Sequence, residues 1–300
     1  MKNVSSWLSD TEVAIYLFHG VVGETDVQVR NYNRKHLHID EFTAVCGDLK
    51  KHGAAVSMDD IVEAWNGGRP LPPRAFAITF DDGFENNHSL AAPVLNDLKL
   101  PATFYVTTDF IENNTMSWVD RIELVVEDVA AGQLRLPWGE RRFDSAETKI
   151  DMLGDIRTHV KSDPTLNAQG LATDIQIQLG FGETHTSDHP LDQKMNWKQV
   201  CELDACDNFI VAGHSHTHPI LAFLDDQTLT WEIDTSIQML KDKANITSPH
   251  YAYPEGLAHT YDERTIHLLK DNGITCSPSA IEGTNAVGYC LFDLRRIMVM

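Results

Sequence analysis

Apolar residues along this chain follow two alternating rhythms. Short unbroken runs occupy residues 13–18, 76–80, 103–106, 209–212, 250–253, 274–277 and 290–294, and read as strands buried on both faces. Between them lie stretches whose apolar residues recur three or four apart. "DEFTAVCGDLKKHG" puts Phe42, Val45 and Leu49 on one helical face and stops at Gly53. "DDQTLTWEIDTSIQMLKDK" does the same with Leu229, Ile233, Ile237 and Leu240, behind acidic residues suited to a helix N-terminus. "DERTIHLLKDNG" repeats the pattern with Ile266 and Leu269 and closes at Gly273. Strands alternating with helices predict βα units around a parallel sheet or barrel, an α/β fold.

One segment breaks the rhythm. From about 112 to 195 the chain carries "MSWVDRIELVVEDV", "LRLPWGERRF", the polar helical "AETKIDMLGDIRTHVKSD" and the turn-rich "GFGETHTSDHP". It reads as helices and a hairpin inserted into one domain spanning 1–300, since no Pro/Ser/Gly linker sets it apart. Insertions at the catalytic rim of a βα barrel shape the substrate site, so this one is expected to act as a lid.

Composition narrows the partners. With 42% apolar residues the chain can build a full core. Its 24 Lys and Arg against 44 Asp and Glu give a net charge of −20, which repels phosphate backbones and anionic headgroups. The N-terminal stretch lacks the features of a signal peptide, and no run approaches the roughly 20 apolar residues of a membrane span. Five irregularly spaced cysteines fit a reducing compartment, so a cytoplasmic location is expected.

Two stretches carry chemistry. In "AITFDDGFENN" a strand runs into the adjacent carboxylates Asp81 and Asp82. In "VAGHSHTHPIL" another strand runs into His214 and His218, four apart, a spacing that one helical turn would turn to a common face. In a parallel barrel the C-terminal strand ends converge on one rim, so these four residues are expected to meet. Two imidazoles and one carboxylate leave open positions on a divalent ion, and the spare Asp is free to act as a base toward water. Each motif alone also fits a solvated turn or a chance pair among 14 histidines. Together, each at a strand end, they favour a metal site.

"TFDDG", then "HSHTH", then "YAYPEG", with "IYLFHGVV" before them and "PATFYVTTDFI" and "HPIL" between, resemble the polysaccharide deacetylases of the NodB-homology fold. The similarity spans most of the chain outside roughly 112–190. It implies a distorted (β/α) barrel that removes an N-acyl group, acetyl or formyl, from an amino sugar or a sugar-containing precursor. It also implies Asp81 as general base, with Asp82, His214 and His218 binding a divalent metal, most often zinc. The "YAYPEG" segment resembles the family's F-R-P-P-Y-G, which implies Tyr253 and Pro254 on the cleft wall and a backbone N–H near Glu255 facing the oxyanion.

Two departures stand out: Ala252 replaces the arginine that orients the base, and there is no L-x-H near the C-terminus. "LFDLRRIMVM" is similar to a subgroup ending in L-P-R-I, so Arg296 is expected to supply the missing positive charge, with His19 as the candidate acid or else a structural rim histidine. Trp118 and Trp197 are candidates for sugar stacking, though a tryptophan between helices serves equally as core. The alternative class is a non-catalytic carbohydrate-binding relative. Against it, a binder has no use for a buried pair of like charges.

Overall fold

The computed structural model describes residues 4–300. The chain opens with β1 (Glu12–Phe18), β2 (Gly20–Val22) and β3 (His36–His38), followed by α1 (Ile39–His52), β4 (Ala54–Ala55) and α2 (Met58–Trp65). Then come β5 (Ala75–Phe80), α3 (Ala92–Leu98), β6 (Ala102–Val106), α4 (Thr108–Asn113) and α5 (Trp118–Asp128). A hairpin of β7 (Gly132–Leu136) and β8 (Gly139–Phe143) leads to α6 (Ala146–Ser162) and α7 (Ala168–Gln178). The last part is α8 (Trp197–Asp204), β9 (Phe209–Gly213), α9 (Asp226–Ala244), α10 (Glu263–Asp271), β10 (Asn285–Ala286) and β11 (Ile297–Met298).

Local chemistry explains where the helices begin. Ser57 and Asp60 form a reciprocal capping box at α2, and the Asp225 and Asp262 side chains accept from Thr228 and Thr265 N–H at the heads of α9 and α10. In α1 the buried residues Phe42, Val45, Cys46 and Leu49 form the expected stripe.

The central sheet is parallel from β1 through β5 and β6 to β9, in register Phe18↔Phe80, Phe80↔Phe104 and Phe104↔Val211. All six residues of β5 are buried, which requires cover on both faces. On the outer face, Phe80 stacks between Phe18 and Phe104 at 5.4 and 5.0 Å, and Phe104 meets Phe209 edge-on. α1, α3 and α8 close over this ladder through Phe42, Leu95 and Leu203. The inner face is built from Tyr105, Ala212 and Ala252. By the period of two, Thr79 and then Asp81 point inward too.

Beyond β9 the expected strands at 250–253, 274–277 and 290–294 differ from the prediction. They pair only through isolated parallel bridges, Gly213↔Tyr251, His250↔Cys276 and Pro278↔Leu294, before β11 rejoins β1 at Tyr16↔Ile297. The pairings run full circle, as ladders on one side and single bridges on the other, which gives the barrel its distortion. These segments are apolar because they are buried, and burial alone does not produce a ladder.

The segment 112–195 holds α5, the β7–β8 hairpin, α6 and α7 around an apolar cluster of its own, with Ile122, Val126, Phe143, Ile156 and Ile175 at its centre. Among the described residues no helix is long and apolar enough to cross a membrane.

Candidate active site

Asp81 leaves the end of β5, where its N–H still bonds to Phe18 O at 3.0 Å. Its carboxylate is buried and receives both arms of the Arg296 guanidinium, Nη1 to Oδ1 at 2.8 Å and Nη2 to Oδ2 at 2.7 Å. Arg296 is itself fixed, with Nε donating to Ser279 O at 2.6 Å and Nη1 lying 3.3 Å from Thr79 Oγ1. Its guanidinium carbon lies 5.9 Å from the centre of the Tyr105 ring, on the inner face shared with Ala212 and Ala252. Burial pushes the Asp81 carboxyl up, but Arg296 and His214 more than offset it and hold the group ionised, below the ordinary carboxylate range.

Asp82 takes a left-handed conformation, φ 75°, as does Gly83 at φ 82°, turning the chain sharply across the barrel mouth. A Cβ on Gly83 would meet Ile111 Cδ1 at 2.9 Å. The turn aims Asp82 Oδ1 at His218 Nε2, 3.3 Å away, and at His214 Nε2, 3.6 Å away. One ligand atom from each of Asp82, His214 and His218 lies within 4.8 Å of the others. Ala252 O accepts the Nδ1–H of His214 at 2.8 Å, which fixes the tautomer and leaves Nε2 with its lone pair toward the carboxylates. Burial pushes the Asp82 carboxyl up, yet His218 and other nearby positive charge hold it well below its usual range. His218 is raised in return, Asp82 outweighing burial. A buried carboxylate facing two imidazole nitrogens is a donor set that fits a divalent cation.

The two histidines are not brought together by a helical turn. Residues 214–218 form a loop in which Ser215 and His218 are left-handed, φ 61° and 63°. Three side chains hold that loop. Ser215 Oγ accepts from His218 N at 2.9 Å, Tyr251 OH accepts from Ser215 N at 2.8 Å, and the buried Glu232 carboxylate of α9 accepts from His216 N and Thr217 N at 2.9 and 2.8 Å. His216 points away, toward Thr108 and the edge of Trp231.

Asp81, Asp82, His214 and His218 line a cavity of ≈ 160 Å³. His19, at the end of β1, is on its wall, and burial pushes its imidazole down to about 4, so it is uncharged at neutral pH. From the inserted segment come Trp118, at the head of α5, and Lys161 of α6, which pairs with Glu255 across the cavity. Glu255 sits at φ 61°; burial pushes its carboxyl up, but Lys161, His218 and Arg157 together outweigh it and hold it below its ordinary value.

Three expected cleft residues are elsewhere. Tyr253 is fully buried behind the wall, stacked on Tyr261 at 3.9 Å with its hydroxyl donated to Phe292 O. Pro254 is buried beside it. Trp197 packs on the main core and donates Nε1–H to Glu112. The sequence reading missed Lys35, which lines the cavity and donates to Asp120 at 2.6 Å, and it missed Glu232. A lone lysine in a loop gives no signal, but the Arg157/Lys161 pair of cations one helical turn apart did offer one.

Fold and site together define an α/β barrel protein with an Asp–His–His cluster and an arginine-held carboxylate at the rim of its parallel strands. The sequence profile of the polysaccharide deacetylase family matches residues 68–135 and 191–277, more than half of the chain. The chain belongs to this family. A poly-β-1,6-N-acetyl-D-glucosamine N-deacetylase of Escherichia coli K12 is 41% identical over 57 residues, which are 19% of this chain and 8% of that protein.

Among solved structures, the Streptococcus pyogenes deacetylase PplD in complex with acetate superposes with a TM-score of 0.61 at 16% identity, covering 97% of this chain and 94% of that one. A de-N-acetylase from Aggregatibacter actinomycetemcomitans gives 0.64 at 15%, covering 96% and 95%. IcaB from Ammonifex degensii gives 0.61 at 15%, covering 98% and 94%. At these identities the likeness is one of fold.

Proposed function

We propose that this protein hydrolyses an N-acyl group, acetyl in the first instance and formyl as the close variant, from an amino sugar or a polysaccharide built of it, with zinc held by Asp82, His214 and His218. The observation that carries this reading is the Asp–His–His cluster with a second carboxylate, Asp81, fixed beside it by Arg296. The spacing supports zinc: donors 2.0–2.1 Å from a tetrahedral ion lie roughly 3.3–3.4 Å apart, against 3.3 and 3.6 Å here. The N-acetylglucosamine polymer named for the Escherichia coli relative supports the substrate class.

When bound, zinc supplies Lewis acidity at the acyl oxygen and lowers the pKa of water. Asp81, held ionised, takes the proton that water gives up on attacking the carbonyl carbon. The C–N bond then breaks, and the same carboxyl returns the proton to the leaving nitrogen. His19, uncharged at neutral pH, stands on the wall of the same cavity. Trp118 offers an aromatic face to the sugar ring, and the segment 112–195 acts as the lid that shapes the cavity.

The test is zinc content of the purified protein together with acetate and formate release from a panel of N-acyl amino sugars and their oligomers, before and after chelation. Release that is lost on chelation and restored by zinc is expected. Protein that retains zinc yet is inert on the whole panel would overturn the reading in favour of a carbohydrate-binding relative.

A further inference from the structure

The wall that α6 gives the cavity carries two cations one helical turn apart, Arg157 and Lys161, in a chain of net charge −20. They are not equivalent. Lys161 is neutralised by Glu255, and Lys35, the third cation on the wall, by Asp120. Arg157 is matched only loosely: its Nη1 lies 3.7 Å from Glu123 Oε1, beyond hydrogen-bond reach. Glu123 is also a poor counter-ion, because burial and the nearby Asp120 push its carboxyl up toward the neutral form. Tyr32 is a further polar neighbour, and the Glu255 carboxylate, already paired with Lys161, acts on Arg157 only through space.

Nη1 of Arg157 is buried and has no hydrogen-bond partner. An incompletely satisfied guanidinium is costly; Nη1 lies on the Glu123 side, while the side chain as a whole is a quarter exposed and lines the cavity, so an acceptor brought by a ligand would supply the partner the protein does not. The planar guanidinium fork matches a carboxylate or phosphate better than any neutral sugar hydroxyl. Arg157 lies in the stretch 136–190, between the two parts matched by the family profile, on the inserted segment that walls the cavity.

We propose that Arg157 binds an anionic substituent, a carboxylate or phosphate, carried by the sugar whose N-acyl group is removed or by its neighbour in the chain. The proposal rests on the deacylase reading and narrows its substrate to an acidic amino sugar.

Acetate release by the zinc-loaded protein is measured on N-acetylglucosamine oligomers and on matched sugars bearing a lactyl carboxylate or a 6-phosphate. Binding of the same sugars is measured by calorimetry. Wild type is expected to prefer one anionic sugar by about tenfold to a hundredfold in kcat/KM, and the two anionic arms tell carboxylate from phosphate. Arg157→Gln should bring the ratio close to one, and Arg157→Lys should keep part of it. Equal rates on neutral and anionic sugars in wild type, or a preference untouched by Arg157→Gln, would overturn the proposal while leaving the deacylase reading standing. If nothing is hydrolysed, that reading fails and the calorimetric ratio still decides: a preference for the anion that vanishes in Arg157→Gln upholds the site, and no preference removes it. If Arg157→Gln does not fold, the wild-type ratio and Arg157→Lys carry the decision.

Discussion

Replacing Arg296 with methionine keeps much of the side-chain volume and deletes the charge that sits on Asp81. Both groups are buried, and the fork makes two short charge-assisted bonds, with a third from Nε to Ser279 O. Unit charges about 4 Å apart at an effective dielectric of about 20 attract by about 4 kcal/mol, which agrees with the roughly 3–5 kcal/mol lost when one partner of a buried pair is removed. At some 2–4 °C per kcal/mol for a large domain, the metal-free variant should melt about 10 °C below wild type at neutral pH.

The pH dependence has a definite sign. In wild type the Asp81 carboxyl is depressed, so it adds stability above its unfolded pKa and loses it as pH falls through the folded value. In the variant, burial acts with less opposition and the carboxyl rises, so acidification neutralises the stranded charge and the gap to wild type narrows. Adding Asp81→Asn to Arg296→Met should recover most of the loss, because neither member of the pair is then left as a stranded charge. In acetate release, the acid limb of the Arg296→Met profile should shift to higher pH with zinc content unchanged. Thermal denaturation at several pH values and the double-mutant cycle provide the measurement. A melting deficit that is the same at all pH values, or one that Asp81→Asn deepens additively, would refute the argument that the pair is bound by charge.

Asp81→Asn alone should leave zinc stoichiometry intact and lower kcat by about 10²–10⁴-fold, whereas Asp82→Ala should lose the metal itself; elemental analysis beside turnover separates them, and equal zinc loss in both would contradict the division of labour. Glu232→Gln removes the carboxylate that accepts from His216 N and Thr217 N, and should weaken zinc affinity by roughly 10–100-fold through the loosened loop; an unchanged affinity in a chelator competition would show that the loop holds itself. Gly213→Ala drives a Cβ to 2.7 Å from the Tyr251 ring, whose hydroxyl holds Ser215 N. It should cost about 1–3 kcal/mol in denaturant unfolding, and a neutral result would mean that the ring can shift freely.

The features written in short stretches of sequence needed no tertiary information. Six buried residues in a row followed by Asp81 and Asp82 specify a covered strand with two carboxylates at its end, because side-chain parity and solvent exclusion act residue by residue along β5. The helices α1, α9 and α10 are equally local, set by caps and an apolar stripe. Even so, His214 and His218 meet by a different route from the one their four-residue spacing suggested, since a left-handed loop and not a helical turn brings them together.

What the tertiary structure alone decided concerns neighbours far apart in the chain. Arg296 and Asp81 are 215 positions apart; the resemblance of the C-terminal strand pointed to this cation, but no local pattern joins the two, and only the closed barrel shows its fork meeting both carboxylate oxygens. Trp118 and Trp197 look alike in sequence, yet Trp118, buried in the cluster of the inserted segment, also reaches the cavity, while Trp197 is half-buried against the main core and away from it, because position belongs to how α5 and α8 pack rather than to the residue. Tyr253 and Pro254 sit one step behind the wall for the same reason, on a segment paired by single bridges where no ladder fixes which side faces the cleft. Strand and helix periodicity acts over a few residues. Desolvation and charge pairing act through space, so only the closed chain settles which ionised groups share a cavity.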